Sequence, residues 1–101
     1  MILYQVNVNV KSAYKEEWRT WMCEHHIPEV MKTDCFLNVR MLESMEQSAD
    51  GEFVIQYVCK DYATLLYYRQ EFSPGLQAQH NATFADIAAS FRKDFSIVLD
   101  I

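Results

Sequence analysis

Residues 35 to 60, CFLNVRMLESMEQSADGEFVIQYVCK, contain two runs of alternating apolar and polar residues with a polar segment between them. The first run extends from about Cys35 to Met45, and the second from about Glu52 to Lys60. A period of two residues is typical of a strand with one buried face. The polar segment EQSADGE contains Asp50-Gly51, which is a hairpin signal. This stretch therefore predicts an antiparallel hairpin in the middle of the chain.

The residues before the hairpin predict a strand followed by a helix. Alternation from Ile2 to Val10 indicates a half-buried strand, and Ser12 is then expected to cap a helix. Pro28 removes a backbone donor, so we expect this helix to break or kink near His26. The apolar stripe of the helix, at intervals that fit 3.6 residues per turn, consists of Tyr14, Trp18, Trp21, Met22 and His25.

The residues after the hairpin predict a helical region followed by a last strand. Asp61 is expected to cap a helix, and Ser73-Pro74 to begin another with Ser73 as its cap. Alternation resumes from Phe91 to Ile101. The order β-α-β-β-α-β predicts an α+β, ferredoxin-like single domain over residues 1–101, with both helical regions on one face of a four-stranded antiparallel sheet.

The two faces of this sheet are expected to differ. We predict that the helices cover Val6, Val8, Phe95 and Ile97, the most apolar sets of the outer strands. The other face would carry Leu3, Gln5, Asn7, Asn9, Arg40, Leu42, Val54, Gln56, Val58, Asp94 and Ser96. It is either solvated, as in many antiparallel sheets, or shared with a second copy that closes a barrel. We favour a homodimer, because a solvated face gains nothing from four aliphatic residues.

Charge and hydropathy disfavour several partners. Lys and Arg total 9 against 14 Asp and Glu, giving a net charge of -5 without a basic run, so no nucleic-acid binding is expected. No apolar run is long enough for a membrane span, and residues 1–10 lack the basic start of a signal peptide. The three cysteines have no CxxC spacing, which favours reduced thiols and a cytoplasmic location.

Four segments carry a resemblance to a known family: MILYQVNVNV, EEWRTWMCEHHIPEVMKTDCF, IQYVC and YYRQEFSPGLQAQHNATF. Together they resemble a family of bacterial proteins of unknown function, about a hundred residues long. That family is similar to the dimeric α+β barrel proteins, which include small cofactor-free monooxygenases, chlorite-dismutase-like haem proteins and many proteins without known activity. The resemblance implies a homodimer with a pocket between helices and sheet. It implies no reaction and no catalytic residues.

The histidines are the candidate site residues. His25 shares the stripe of Trp18 and Trp21 and is predicted to face the sheet, whereas His26 is predicted to face solvent. His80 shares a stripe with Leu76 and Phe84, so His25 and His80 are expected to meet in one cleft. They are either hydrogen-bonded core residues or a polar pair lining a small-molecule pocket. We predict no metal site, because adjacent histidines on a helix cannot both reach one ion and the usual i, i+4 histidine pair is absent. No cofactor is expected.

A ligand site, where there is one, is predicted between His25 and His80. Either histidine is a candidate acid–base group. The predicted ligand-binding residues are Trp18, Trp21, His25, Tyr57, His80 and Phe84. Three functions remain open: a dimeric small-molecule binder or cofactor-independent enzyme, a noncatalytic dimerisation or interaction module whose aromatics fill the cleft, and a haem or metal protein. Whether the protein is an enzyme is not decided by the sequence.

Overall fold

Four strands and a set of helical segments follow one another in the predicted order β-α-β-β-α-β. The computed structural model describes residues 1–46 and 50–101, so the turn predicted around residues 47–49 lies outside the described part. The strands are β1 (Ile2–Val10), β2 (Asn38–Glu43), β3 (Gly51–Cys59) and β4 (Ala88–Ser96). The helices are α1 (Lys15–Trp21), α2 (Ile27–Met31), α3 (Tyr62–Glu71) and α4 (Ser73–Phe84), with a 3₁₀ turn at Ser12–Tyr14 and a π-helical segment at Met22–His26.

The sheet has the order β2-β3-β1-β4, and every neighbouring pair is antiparallel. The two central strands show strict alternation, and their buried residues pack under the helices. Trp18, Phe53 and Phe84 are the largest side chains that are almost completely buried in this core. The ferredoxin-like, four-stranded antiparallel sheet predicted from the sequence is confirmed.

Strand β4 presents the face opposite to the predicted one. Arg92 lies opposite Val6, and Asp94 lies opposite Tyr4, so both belong to the face that carries the helices. Residues directly opposite in an antiparallel pair share a face. The prediction that Phe95 packs under the helices while Asp94 and Ser96 face away is therefore wrong. The reason is that β4 is an edge strand whose eight positions after Ala88 are all exposed, so burial does not decide which of its faces carries the apolar residues.

Strand β4 also begins and ends earlier than predicted. It extends from Ala88 to Ser96, and residues 97–101 belong to no strand. Ile97 is half-buried, and its backbone N–H donates to the carbonyl of Met1 at 3.0 Å. Ile97 therefore extends the contact with β1 by one hydrogen bond but does not enter the helix-covered core.

The helix ends follow the predicted signals only in part. Asp61 caps α3 as predicted, because its carboxylate accepts the backbone N–H of Thr64 at 2.8 Å. Ser73 begins α4 but makes no capping bond, and Ser12 lies in the 3₁₀ turn instead of capping a helix. Pro28 does not break the helix, since it lies in the first turn of α2 and the helical backbone continues to Met31. None of the helices in the described ranges is long and apolar enough to cross a membrane.

Candidate functional site

An open cleft lies between the helices and the central strands. Its volume is about 80 Å³. Strands β1 and β3 form its floor, the helical segments form one wall, and β4 forms the rim. The lining residues are Tyr4, Val6, Val8, Trp18, Met22, His26, Ile55, Tyr57, Tyr68, Ser73, Leu76, Gln77, His80, Asn81, Ser90 and Arg92. The lining is about equally apolar and polar, with aliphatic and aromatic side chains next to hydroxyl, amide, imidazole and guanidinium groups, and small-molecule sites combine these two kinds of group.

His80 is held in the cleft by two hydrogen bonds that fix its tautomer. The indole Nε1 of the fully buried Trp18 donates to His80 Nε2 at 3.0 Å. Because an indole N–H can only donate, Nε2 must be the acceptor nitrogen of a neutral ring. The proton of neutral His80 then lies on Nδ1, which is 3.0 Å from Asn81 Oδ1. His80 is therefore an oriented imidazole with both nitrogens engaged.

His26 is the second imidazole of the cleft, and one of its nitrogens is free. Its half-buried ring stacks on Trp21 at 5.4 Å and lies 6.1 Å from the ring of His80. Nδ1 is buried and has no hydrogen-bond partner. Burial lowers the pKa of His26 from 6.5 to about 4, and repulsion by His80 when that ring is protonated, and by Arg92, adds to this effect. His26 is consequently neutral near pH 7, with a nitrogen that can bond to a ligand.

The adjacent His25 is outside the cleft, so the predicted directions of the two histidines are wrong. His25 is exposed and lines an outer surface with Glu24 and Trp21. The cause is the π-helical segment, whose turns bond residue i to residue i+5. The residue that follows Trp21 on the inner side is then the fifth, His26, whereas α-helical spacing had indicated the fourth, His25. Pro28 lies just beyond this wider turn, where an α-helix would suffer the clash of its ring with the carbonyl of Glu24.

Three buried tyrosines lie over the floor of the cleft. Tyr4 stacks on Tyr57 with 5.8 Å between ring centroids, and Tyr68 lies 6.2 Å from Tyr4. Burial raises the pKa of Tyr57 and of Tyr68 well above the ordinary value for a phenol. Both hydroxyls therefore stay protonated and can donate to a ligand. The Tyr4 hydroxyl accepts a hydrogen bond from Arg92 Nε at 2.9 Å.

The structure brings together half of the predicted ligand-binding residues at the cleft surface. Trp18, Tyr57 and His80 line the cleft. Trp21 and Phe84 pack behind it at 5.3 Å from each other, and Phe84 is almost fully buried. The role of these residues in binding remains a prediction.

Sequence reasoning missed eight lining residues that carry polar groups: Tyr4, His26, Tyr68, Ser73, Gln77, Asn81, Ser90 and Arg92. Tyr4 was visible on the apolar face of the first strand, but its hydroxyl gave no signal of a pocket. Arg92 was assigned to the wrong side by the reversed faces of β4. Within residues 1–46 and 50–101, no group of three His, Cys, Asp or Glu side chains is arranged to hold a metal ion.

Comparisons with known proteins identify a family and a fold. The family described as Domain of unknown function (DUF4286) matches residues 1–98. No match was found among curated proteins. Among solved structures, SnoaB, a cofactor-independent oxygenase from Streptomyces nogalater, is 14% identical over 99% of this chain and 96% of its own, with a TM-score of 0.76. An MhuD variant with two manganese protoporphyrin IX bound per active site is 14% identical over 100% of this chain and 98% of its own, with the same TM-score of 0.76.

A further structural relative is a member of the ethyl tert-butyl ether d (ethd) family from Bacillus halodurans. It is 10% identical over 92% of this chain and 97% of its own, with a TM-score of 0.68. At these identities the likeness establishes the ferredoxin-like fold that these proteins share with the chain. The ligands and reactions named for them are properties of those proteins, since one fold hosts unrelated functions.

Proposed function

Because the chain belongs to the family Domain of unknown function (DUF4286), whose description names no activity, we propose from the geometry that it is a homodimeric small-molecule-binding protein. The observation that carries this proposal is the open cleft between helices and sheet. Apolar side chains such as Val6, Met22 and Ile55 supply the walls, while hydroxyl and imidazole groups supply a few directed hydrogen bonds. This combination suits a small, largely apolar or aromatic molecule that carries an oxygen function.

The same cleft has groups that suit a cofactor-independent enzyme, which is the more specific form of the proposal. His26 offers a neutral nitrogen without a protein partner, and His80 offers a ring held in one orientation. A group that moves a proton must lie within hydrogen-bond reach of the substrate. His26 is the better placed of the two, because both nitrogens of His80 are already engaged. SnoaB, described as a cofactor-independent oxygenase, has the same fold, and this supports oxygenation as the reaction to test first.

A noncatalytic dimerisation module is the alternative, and it would need a cleft filled by its own aromatic side chains. The aromatic rings instead pack beside an open volume: Tyr57, for example, lines the cleft and packs against Phe36 with 5.0 Å between tilted rings. The open volume favours the binding function over the module.

Binding is best tested by following the histidine rings in solution. We expect aromatic fragments that enter the cleft to shift the ring signals of His26 and His80 in a histidine-labelled protein, as seen by NMR. The exposed His25 is an internal control, since it is adjacent in sequence but outside the cleft. A fragment library that shifts none of the rings, or shifts only His25, would contradict the proposal.

The enzymatic form is tested with a fragment or co-purified compound that binds in this way. We expect oxygen uptake with that compound, and His26→Gln should reduce the rate while His25→Gln should not. Equal rates in the two variants would remove His26 from the reaction. Binding without any turnover of a broad set of compounds would leave a binding protein and contradict the enzyme.

The proposed dimer interface is the open face of the sheet, which no helix covers. The residues of this open face are Leu3, Gln5, Asn7, Asn9, Asn38, Arg40, Leu42, Glu52, Val54, Gln56, Val58, Ala89, Phe91, Lys93 and Phe95. Large apolar side chains are exposed there, with Leu42 at 43%, Phe91 at 62% and Phe95 at 38%. Such a surface is favourable to bury against a second copy.

A polar row crosses the middle of the open face and can define how two copies align. Arg40 donates to Gln56 at 2.7 Å, Gln56 donates to Gln5 at 3.1 Å, and Gln5 donates to Asn7 at 3.3 Å. The amide nitrogen Nδ2 of Asn7 is buried without a partner. A facing copy can supply the missing acceptor, which supports the choice of this face.

Arg40→Glu should weaken the dimer, because it replaces the cation that begins this row with an anion next to the oxygens of Gln56. Analytical ultracentrifugation should show dissociation at a concentration at least about tenfold higher than for the wild type. Lys32→Glu makes the same change of charge on the helical side and should leave association unchanged. A wild-type protein that is monomeric at micromolar concentration would contradict the dimer.

A further inference from the structure

The charges around the cleft are opposite in sign to the charge of the whole chain. The protein carries 14 acidic side chains and a net charge of -5. No Asp or Glu occurs among the described residues that line the cleft, whereas one permanently charged cation, Arg92, does. A negatively charged protein that keeps carboxylates out of one cavity, and places an arginine there, has a cavity suited to an anion.

Arg92 carries the permanent positive charge of the cleft. It lies on the rim, on the helix side of β4, and its Nε donates to the hydroxyl of Tyr4 at 2.9 Å. Tyr4 is only 3% exposed, so this bond ties the guanidinium to a rigid part of the core. One donor of five is used in this way, and the others remain for a partner.

Neighbouring charges do not neutralise Arg92. Asp94, two residues further along the same face, forms a two-pronged ion pair with Arg69. Across residues 1–46 and 50–101, the ion pairs involve Lys15, Arg19, Lys32 and Arg69 but not Arg92. The guanidinium at the rim therefore faces the cleft without a protein carboxylate.

We propose that the ligand of the cleft is a small, mainly apolar acid whose ionised oxygen group, a carboxylate or an enolate, pairs with Arg92 at the rim while its apolar part lies against the strand floor. This inference rests on the proposed binding function and specifies its ligand class. Arg suits the task because its planar N–H fork matches two oxygens of one anionic group. The protonated hydroxyls of Tyr57 and Tyr68 add donors further in.

The inference is tested with pairs of probes that have equal shape and different charge. The probes are benzoate with benzamide, and 2-naphthoate with 2-naphthamide, titrated into the wild-type protein by calorimetry, with the histidine ring signals reporting the place of binding. We expect each carboxylate to bind at least about tenfold more tightly than its amide. Arg92→Gln should reduce carboxylate affinity to that of the amide and leave amide affinity unchanged. Lys93→Gln, one residue along the strand but on the open face, should affect neither probe.

The possible failures are distinguishable. Amides that bind in the cleft as tightly as the carboxylates would overturn the ligand class and leave the binding function intact. A carboxylate preference that survives Arg92→Gln, or that Lys93→Gln removes equally, would overturn the role of Arg92. Absence of binding by all four probes, with the His26 and His80 signals unmoved, would overturn the acid-binding cleft, and a neutral fragment that still moved those signals would show that the binding function itself survives.

Discussion

His26 should make the folded protein sensitive to acid, and replacing it by Gln should remove that part of the sensitivity. The pKa of His26 is about 4 in the folded chain against 6.5 for an unperturbed ring, mainly because the ring is buried. Between these two values the unfolded chain binds the proton and the folded chain does not. The free energy of unfolding must therefore fall as the pH falls from above 6.5 towards 4, and it is fully retained above 6.5.

The size of this effect follows from the distance between the two pKa values. A pKa of about 4 against 6.5 corresponds to a loss of about 3 kcal/mol once the pH has fallen to about 4. By pH 5 the loss is already about 2 kcal/mol, because the unfolded ring is then almost fully protonated and the folded ring is not. This is a large share of the stability of a domain of this size.

The contribution of His26 to acid sensitivity is measured by urea unfolding of the wild type, His26→Gln and His25→Gln. The measurements are made at pH 7.5 and pH 5.0, at one fixed protein concentration. From the higher to the lower pH, the wild type should lose about 2 kcal/mol more than His26→Gln. His25→Gln should lose as much as the wild type, because His25 is exposed and the cleft histidine is still present. The carboxylates titrate in all three proteins and cancel in the comparison. If His26→Gln loses as much stability as the wild type, or if His25→Gln is the variant that resists acid, the assignment of His26 to the cleft is refuted.

Two further predictions concern packing around the cleft. Gly51→Ala should lower the free energy of unfolding by about 1–3 kcal/mol, because a Cβ at this position would lie 2.9 Å from the buried ring of Phe53. Gly75→Ala is the matched control, since there is open space around Gly75. Urea unfolding should show that this control gains up to about 1 kcal/mol. Equal stability of the two variants would contradict this. Trp18→Phe removes the donor to His80, and histidine NMR should then show a mixture of tautomers, whereas an unchanged Nδ1–H form would show that Trp18 does not select it.

The central strands could be predicted from sequence because their surroundings are uniform. Every other residue of β1 and β3 lies under the helices, and both strands have neighbours on either side. Apolar alternation then has one physical cause, burial under the helical layer. The same holds for Asp61, whose carboxylate has a local partner three residues away at Thr64. Local bonds and uniform burial leave a direct trace in the sequence.

The orientation of the edge strand β4 could not be predicted in this way, because apolar residues can be favourable on either of its faces. Alternation separated Phe91 and Phe95 from Arg92 and Asp94 correctly, but it did not say which pair faced the helices. The assumption that Phe91 and Phe95 face the helices holds only when the opposite face of the strand is exposed to solvent. Phe91 and Phe95 on the uncovered face are what a strand shows when its second face has a partner of its own, as the proposed dimer requires.

The two adjacent histidines show why a site is harder to predict than the fold that holds it. The helical stripe was wrong at Tyr14, which is exposed in the 3₁₀ turn, and correct at Trp18 and Met22, which are buried. It then failed by one residue after the helix widened into the π segment. A shift of one residue changes the stability of the fold little, since the buried core is stabilised by many contacts. The same shift determines the chemistry of the site, since it places His26 in the cleft and His25 outside it. The cleft then contains a half-buried imidazole that stays neutral at pH 7. The α-helical spacing of apolar residues could not predict this shift, because Pro28 alters the backbone of the preceding turn and leaves the pattern of apolar residues unchanged.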